Sequence, residues 1–118
     1  MGSILRTQLK RLPRRFRPTD GSDVEIADHG KIFLSADEMV SFVTEAGREY
    51  DVTRKNWGFY ATPSINGRLK KFGWKTALVR GGDRKYYVFL VDALRQHEFS
   101  EYIEKEQHQI IEWLDERE

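Results

Sequence analysis

Residues 54–80, RKNWGFYATPSINGRLKKFGWKTALVR, decide the predicted fold because they combine bulky aromatics, basic side chains and turn residues. Trp57, Phe59 and Ala61 alternate with Gly58, Tyr60 and Thr62, and the aromatic enrichment favours a strand that ends at Pro63. Residues 74–80 predict a second strand, with Trp74, Thr76, Leu78 and Arg80 on one face and Lys75, Ala77 and Val79 on the other. The segment between these two strands determines how they are connected.

That segment, residues 64–73, has two possible structures. An N-cap at Ser64, apolar residues at helical spacing and a terminating Gly73 predict a short amphipathic helix. The Asn-Gly pair at residues 66–67 is instead the strongest two-residue hairpin signal. We favour the helix, because a strand would split the apolar residues between two faces. The preference is modest, since a glycine inside a helix costs about 1 kcal/mol relative to alanine.

The flanking segments extend this pattern of strands and turns. Residues 39–54 predict a hairpin around a turn that contains Gly47, although Ser35 could also cap a helix that reaches residue 44. The turn at residues 81–84 predicts a second hairpin. Its second strand, residues 85–91, is largely apolar and is therefore expected at the centre of a sheet, covered on both faces. A helix over residues 93–105 and a last strand over residues 109–114 complete the prediction.

Length and composition indicate the α+β class. At 118 residues the chain has room for one core. Over residues 31–118 we expect a single small domain, an antiparallel or mixed β-sheet of four to six strands with one or two helices packed on one face. Residues 1–30 are predicted to be a basic, partly disordered N-terminal arm and linker. Such an arm can lie on phosphates or on an acidic protein face, or can remain a solvated tail.

Charge is segregated along the chain, although the net charge is only +1. Residues 1–19 and 54–85 are basic, and residues 20–53 and 92–118 are acidic. The blocks either neutralise each other inside the fold or leave the basic ones to bind an anionic partner. The chain has no cysteine, which fits a reducing cytoplasm. No apolar run is long enough for a membrane span, so we expect a cytoplasmic protein without membrane insertion.

The sequence contains no recognisable catalytic constellation. The three histidines lack metal-ligand spacing, Ser64 has no nucleophile-elbow sequence around it, and the glycine-rich phosphate-binding motifs are missing. Asp51 and Asp92 flank predicted strands, where aspartate usually caps or turns the chain. We therefore predict no catalytic residue, no metal and no cofactor, and an enzymatic activity is the least favoured hypothesis.

The predicted function is that of a small non-catalytic module that binds an anionic ligand. The N–H groups at a helix N-terminus attract phosphate, and aromatics interleaved with bases are typical of surfaces that stack unpaired nucleic-acid bases. The expected ligand is a single-stranded nucleic acid or a phosphorylated small molecule. The predicted contact residues are Arg54, Lys55, Trp57, Tyr60, Ser64, Arg68, Lys71 and Arg80, helped by an electrostatic arm of Arg11, Arg14, Arg15 and Arg17.

The alternative function is a protein-interaction or accessory subunit that binds no small ligand. In this hypothesis the protein forms a homodimer or joins another protein, and the oppositely charged blocks pair between chains. The edge strands of the predicted sheet leave room for such an association.

Overall fold

The computed structural model of the protein describes residues 5–18 and 24–118. These residues are mostly β with a little helix, so the α+β class describes the fold only roughly. The strands are β1 (Arg6–Phe16), β2 (Ile26–Phe33), β3 (Met39–Val43), β4 (Glu49–Lys55), β5 (Gly58–Ala61), β6 (Trp74–Arg80), β7 (Tyr86–Asp92) and β8 (Gln109–Trp113). The helices are α1 (Arg68–Lys71) and α2 (Gln96–Lys105), with 3-10 turns at Ala93–Arg95 and Leu114–Glu116.

The chain divides into two compact units. The first unit comprises Met1–Met39 and Arg54–Gly58, and the second comprises Val40–Thr53 and Phe59–Glu118. The linker predicted at residues 19–23 lies outside the described residues. The division into an arm and a domain therefore stays a prediction. Within the described ranges, no helix is both long and apolar enough to cross a membrane.

The strands of the described residues form three antiparallel sheets rather than the one sheet of four to six strands that we expected. Their strand orders are β1-β2, β3-β4-β5 and β7-β6-β8. All pairings except the one between β6 and β8 join strands that follow each other in the chain. Local turn signals predict such hairpins, but they carry no information on which hairpins merge into one sheet.

The first unit contains a hairpin of β1 and β2, most of which lies in residues 1–30, the segment predicted as an arm. Pairing runs from Arg6 opposite Phe33 to Phe16 opposite Ile26, with an irregularity between Leu9 and Arg14. Most of β1 is exposed to solvent, so its sequence has no apolar alternation by which the strand could be recognised. Residues 6–16 are therefore a strand that sequence analysis missed.

In the second unit, β6 lies at the centre of its sheet and carries the core. Ala77 and Val79 are completely buried, and they pack with Ile103 of α2. Aromatic rings surround this cluster: Phe99 of α2 lies 5.6 Å from Phe89 of β7, measured between ring centroids. Helix α2 thus packs on one face of the three-stranded sheet.

The position of β7 differs from the prediction. Its apolar sequence indicated a central strand, but β7 lies at the edge and β6 takes the centre. The buried Asp115 explains how β8 is held beside β6. Its carboxylate accepts hydrogen bonds from the N–H of Thr76 (2.9 Å) and from Nζ of Lys75 (3.0 Å), and so fixes the chain just after β8 against β6.

Three local predictions are confirmed. A helix rather than a hairpin follows Ser64, although α1 is shorter than expected, and Gly73 ends it at a φ of 94°. Strands β3 and β4 form the predicted hairpin, so the alternative helix from Ser35 is wrong. The Asp92 side chain accepts a hydrogen bond from the N–H of Leu94 and caps the 3-10 turn that precedes α2.

Candidate functional site

The eight predicted contact residues are divided between the two compact units. Arg54, Lys55 and Trp57 belong to the first unit. The remaining five belong to the second unit, and they are Tyr60, Ser64, Arg68, Lys71 and Arg80. The structure therefore does not gather the eight residues within one compact unit.

The five residues of the second unit do not converge on one pocket. Helix α1 is a single turn, and its N-terminus receives no side-chain cap from Ser64. Arg68 and Lys71 are exposed on this turn, and the guanidinium of Arg68 lies 5.8 Å from the ring centre of Phe72. Arg80 is the last residue of β6, which begins next to α1. A seven-residue strand spans about 20 Å, so Arg80 lies far from the cations of α1.

In the first unit, Arg54, Lys55 and Trp57 occupy the end of β4 and the turn that follows it. The backbone of Arg54 accepts a hydrogen bond from the N–H of Asp37 (2.7 Å). The Lys55 ammonium lies 2.5 Å from the Asp37 carboxylate. Trp57 is 73% exposed, so its indole ring presents much of its surface to solvent.

The same unit contains the four residues of the predicted electrostatic arm. We call residues 6–17 and 24–33, which include β1 and β2, the basic ribbon. The ribbon carries seven Lys/Arg side chains against two carboxylates, a net charge of +5. The carboxylates make ion pairs with two of the arginines, Arg14 with Asp28 at 3.3 Å and Arg15 with Glu25 at 3.5 Å. Arg11 and Arg17 are exposed.

Two arginines of the basic ribbon stack on aromatic rings. The guanidinium carbon of Arg6 lies 4.1 Å from the ring centre of Phe33, and that of Arg14 lies 4.6 Å from the ring centre of Phe16. A cation–π contact uses the flat face of the guanidinium and none of its N–H donors. Stacking therefore orients these side chains and leaves the N–H donors at the edges of the guanidinium for hydrogen bonds. Arg14 donates from Nε and Nη2 to the Asp28 carboxylate.

Asp28 has a defined electrostatic role within the ribbon. The backbone N–H of Gly30 donates to its carboxylate at 3.0 Å. This hydrogen bond, with help from the side chain of Arg14, lowers the pKa of Asp28 despite partial desolvation. The carboxylate of Asp28 therefore stays ionised at pH values below its usual titration range. It orients the side chain of its partner Arg14.

The second unit has a pocket of about 710 Å³ that sequence analysis missed. Arg48 fills one side: its Nη1 donates to the carbonyl of Phe72 at 2.6 Å, and its Nε lies 3.4 Å from the Asp92 carboxylate. Gly73 makes room for it, since a Cβ there would lie 2.0 Å from Arg48 Nη1. The pocket is lined by Ala46, Gly47, Arg48, Glu49, Phe72, Asp92, Leu94, Arg95 and Glu98.

The charge of this pocket does not suit an anionic ligand. Two arginines face three carboxylates among its lining residues. Arg48 is paired with Asp92, and Arg95 lies 3.1 Å from Glu98. With more carboxylates than arginines, the pocket lacks the net positive charge that a phosphate ligand needs.

The polar residues elsewhere in the second unit make structural contacts. Asp51 accepts a hydrogen bond from the hydroxyl of Ser41 at 2.5 Å across β3 and β4. His97 lies 2.9 Å from Glu101 on the exposed side of α2, and His108 stacks on Tyr87. Within residues 5–18 and 24–118 no group of three or more His, Cys, Asp or Glu side chains could hold a metal ion.

Comparison with known proteins identifies no relative of this chain. No protein-family model, no curated protein and no solved structure matches the chain.

Proposed function

We propose that the protein is a non-catalytic module that binds single-stranded nucleic acid along its basic ribbon. The observation that carries this proposal is the excess of five positive charges on an exposed pair of strands. Most of the surrounding side chains point into solvent, so a long ligand can reach these cations. The lack of cysteine is the reason for expecting this activity in a reducing cytoplasm.

The distribution of the cations favours a polymer over a phosphorylated small molecule. From the pair Arg6 with Phe33 to the pair Phe16 with Ile26, the ribbon extends for about 23 Å at the usual rise of a strand. A small phosphate ester could contact only a fraction of that length. A nucleic-acid backbone presents one charge per nucleotide and can pair with cations along all of it.

The ion pairs already present in the ribbon do not oppose binding. Arg14 and Arg15 pair with carboxylates while their side chains remain 59% and 63% exposed. Exposed ion pairs of this kind contribute about 0–1 kcal/mol. A phosphate can therefore replace a carboxylate at little cost, and each contact also releases counterions from the nucleic acid.

Trp57 supplies the contact that favours unpaired bases. It belongs to the same compact unit as the ribbon, next to Arg54 and Lys55. Stacking of a base on an aromatic side chain contributes about 1–3 kcal/mol and does not depend on the identity of the base. The exposed indole is accessible to an unpaired base, whereas bases in a duplex are already stacked. The predicted residues of the second unit are not required for this mode of binding.

Fluorescence anisotropy with a labelled mixed-sequence oligonucleotide tests the proposal. The informative variant is Lys10→Gln with Arg11→Gln, because both residues are exposed and lie in the irregular part of β1, where substitution leaves the paired register intact. Its matched control is Lys105→Gln with Arg117→Gln in the second unit. We expect weaker binding in the first variant and wild-type binding in the control. Equal affinities for the three proteins would reject the ribbon as the binding surface.

A second comparison tests the role of Trp57. Trp57→Ala should weaken single-strand binding by roughly 5- to 150-fold, as expected for loss of one stacked base, and Trp57→Phe should retain most of the affinity. Binding to a duplex of the same sequence should be weaker and insensitive to both changes. Duplex binding as tight as single-strand binding would contradict the stacking argument.

A further inference from the structure

Strand β7 lies at the edge of its sheet, and its sequence is unusually apolar for an edge strand. Residues 86–91, YYVFLV, contain no charged residue, proline or glycine. Edge strands of soluble proteins usually carry such residues, because an unprotected edge pairs with other strands. Tyr86 is 62% exposed and Val88 is 69% exposed. Among the strands that the structure describes, β7 pairs only with β6.

The register shows which backbone groups lie on the outer edge. The N–H of Gly81 donates to the carbonyl of Lys85 at 2.8 Å, and hydrogen-bonded pairs alternate along an antiparallel ladder. The pair Val79 with Tyr87 therefore continues the hydrogen bonding between β6 and β7. The backbone groups of Tyr86, Val88 and Leu90 consequently point away from β6.

We infer that β7 pairs antiparallel with β7 of a second copy of this chain, about a two-fold axis at Val88. In this register Val88 lies opposite Val88 of the second copy, and Tyr86 lies opposite Leu90. All three residues whose backbone groups point outward therefore lie opposite an apolar strand residue of the second copy. An isologous interface requires this kind of self-complementarity, and cross-strand apolar pairs stabilise a sheet.

The neighbouring registers are less favourable. A two-fold axis at Leu90 would put Val88 opposite Asp92 and Tyr86 opposite Leu94. An axis at Tyr86 would put Val88 opposite Arg84 and Leu90 opposite Gly82, which both belong to the turn before β7. Of the three registers, the axis at Val88 is the one that gives Tyr86, Val88 and Leu90 an apolar strand residue each. The apolar pattern therefore selects one register.

Pairing of this kind joins two three-stranded sheets into one of six strands, in the order β8-β6-β7-β7-β6-β8. The two-fold axis of an antiparallel strand pair runs perpendicular to the sheet, so both copies of α2 lie on the same face. The inference uses residues of the second unit alone and does not depend on nucleic-acid binding.

Disulfide trapping tests the register directly, because the chain has no cysteine of its own. In a hydrogen-bonded antiparallel pair the two Cα atoms are about 5.5 Å apart, which is within the range for a disulfide. Val88→Cys should therefore form a covalent dimer rapidly under mild oxidation. Tyr86→Cys should not, because four residues of strand, about 13 Å, separate its two copies. Ile111→Cys, an exposed position on the other edge strand β8, is the matched control.

Sedimentation equilibrium measures the same association without a cross-link. The wild-type protein should approach twice its monomer mass of 13.9 kDa as concentration rises. Val88→Lys would set two ammonium groups opposite each other and should raise the dissociation constant by about tenfold or more, whereas Ile111→Lys should leave it unchanged. A monomeric wild-type protein whose Val88→Cys variant cross-links no faster than the control would overturn the inference.

Discussion

At the scale of single residues, Asp115 connects the acidic end of the chain to the central strand. It is 2% exposed and accepts hydrogen bonds from Thr76 and Lys75. Burial alone would raise the pKa of Asp115, but these two hydrogen bonds outweigh it and lower the pKa. The carboxylate is therefore ionised in the folded protein over the whole neutral range.

Asp115→Asn should reduce the free energy of unfolding at neutral pH by about 1–3 kcal/mol, because it leaves the ammonium of Lys75 without its buried partner. The sign of the pH dependence follows from the lowered pKa. The carboxylate stabilises the fold fully above its unfolded pKa of about 4, and this contribution is lost as pH falls through the folded pKa. Urea unfolding at several pH values should therefore show a smaller acid-induced loss in the variant.

The exposed Glu116 provides the control for this substitution. Its carboxylate lies 3.8 Å from the same Lys75 ammonium, with 57% of the side chain exposed. Glu116→Gln should change stability by less than about 0.5 kcal/mol. If both variants lost the same stability, the buried position of Asp115 would not be the cause of its effect.

Gly73 is the residue on which the position of Arg48 depends. Its φ is 94°, and a Cβ there would lie 2.0 Å from Arg48 Nη1. Gly73→Ala should therefore cost about 1–2 kcal/mol for the backbone conformation alone and more for displacing Arg48. Thermal unfolding of the variant measures the sum of the two effects.

The substitution Gly47→Ala separates the cost of the backbone conformation from the cost of displacing Arg48. Gly47 has a similar φ of 88°, but a Cβ there would meet nothing within 4 Å. Its loss of stability should reflect backbone strain alone and be smaller than that of Gly73→Ala. Equal losses at the two positions would mean that the contact between Gly73 and Arg48 contributes nothing.

At the scale of elements, local signals predicted hairpins and helices well. Elements end or begin at Gly73, at the capping Asp92 and at the glycine-containing turns. Each of these signals depends on the backbone conformation of only a few neighbouring residues. The strand β1 was not predictable in this way. Most of its residues are exposed, so it has no apolar period, and its partner β2 begins beyond residues 19–23, whose composition indicates only a turn or a linker.

The order of strands in a sheet is a non-local property, and the sequence predicted it less well. The apolar run of β7 is compatible with a central strand or with an edge strand that meets another molecule. The contact between Asp115 and β6, which brings β8 to the other side of β6, connects residues 39 positions apart. The candidate site is non-local in the same sense. The predicted cations of β4, α1 and β6 lie in one block of the sequence, but they do not form one cluster in the structure.

Gly30 allows the hairpin of β1 and β2 to be tested as an element. Its φ is 111°, and a Cβ would lie 2.0 Å from the carbonyl oxygen of Gln8. Gly30→Ala should therefore weaken the pairing of β1 with β2 and increase amide hydrogen exchange in both strands. Exchange in β6 should stay at the wild-type rate. Unchanged exchange in β1 would contradict the pairing described for the first unit.

At the scale of the whole molecule, the segregation of charge serves two different purposes. In the second unit, Lys75 of the basic block 54–85 pairs with Asp115 of the acidic C-terminal block at 3.0 Å. This pair is an example of the internal neutralisation considered from the sequence. The basic ribbon, by contrast, contains seven cations and two carboxylates. Its residues therefore carry a net charge of +5, which a polyanion can neutralise.

The measurement that tests the central claim most directly is the salt dependence of binding to a mixed-sequence single-stranded oligonucleotide. If the five excess charges of the ribbon each neutralise one phosphate, the logarithm of the association constant should fall with the logarithm of salt concentration with a slope of about −3.5. The Lys10→Gln, Arg11→Gln variant should reduce that slope by about 1.4. Affinity that does not change with salt, or a slope that is the same in the variant, would contradict the account.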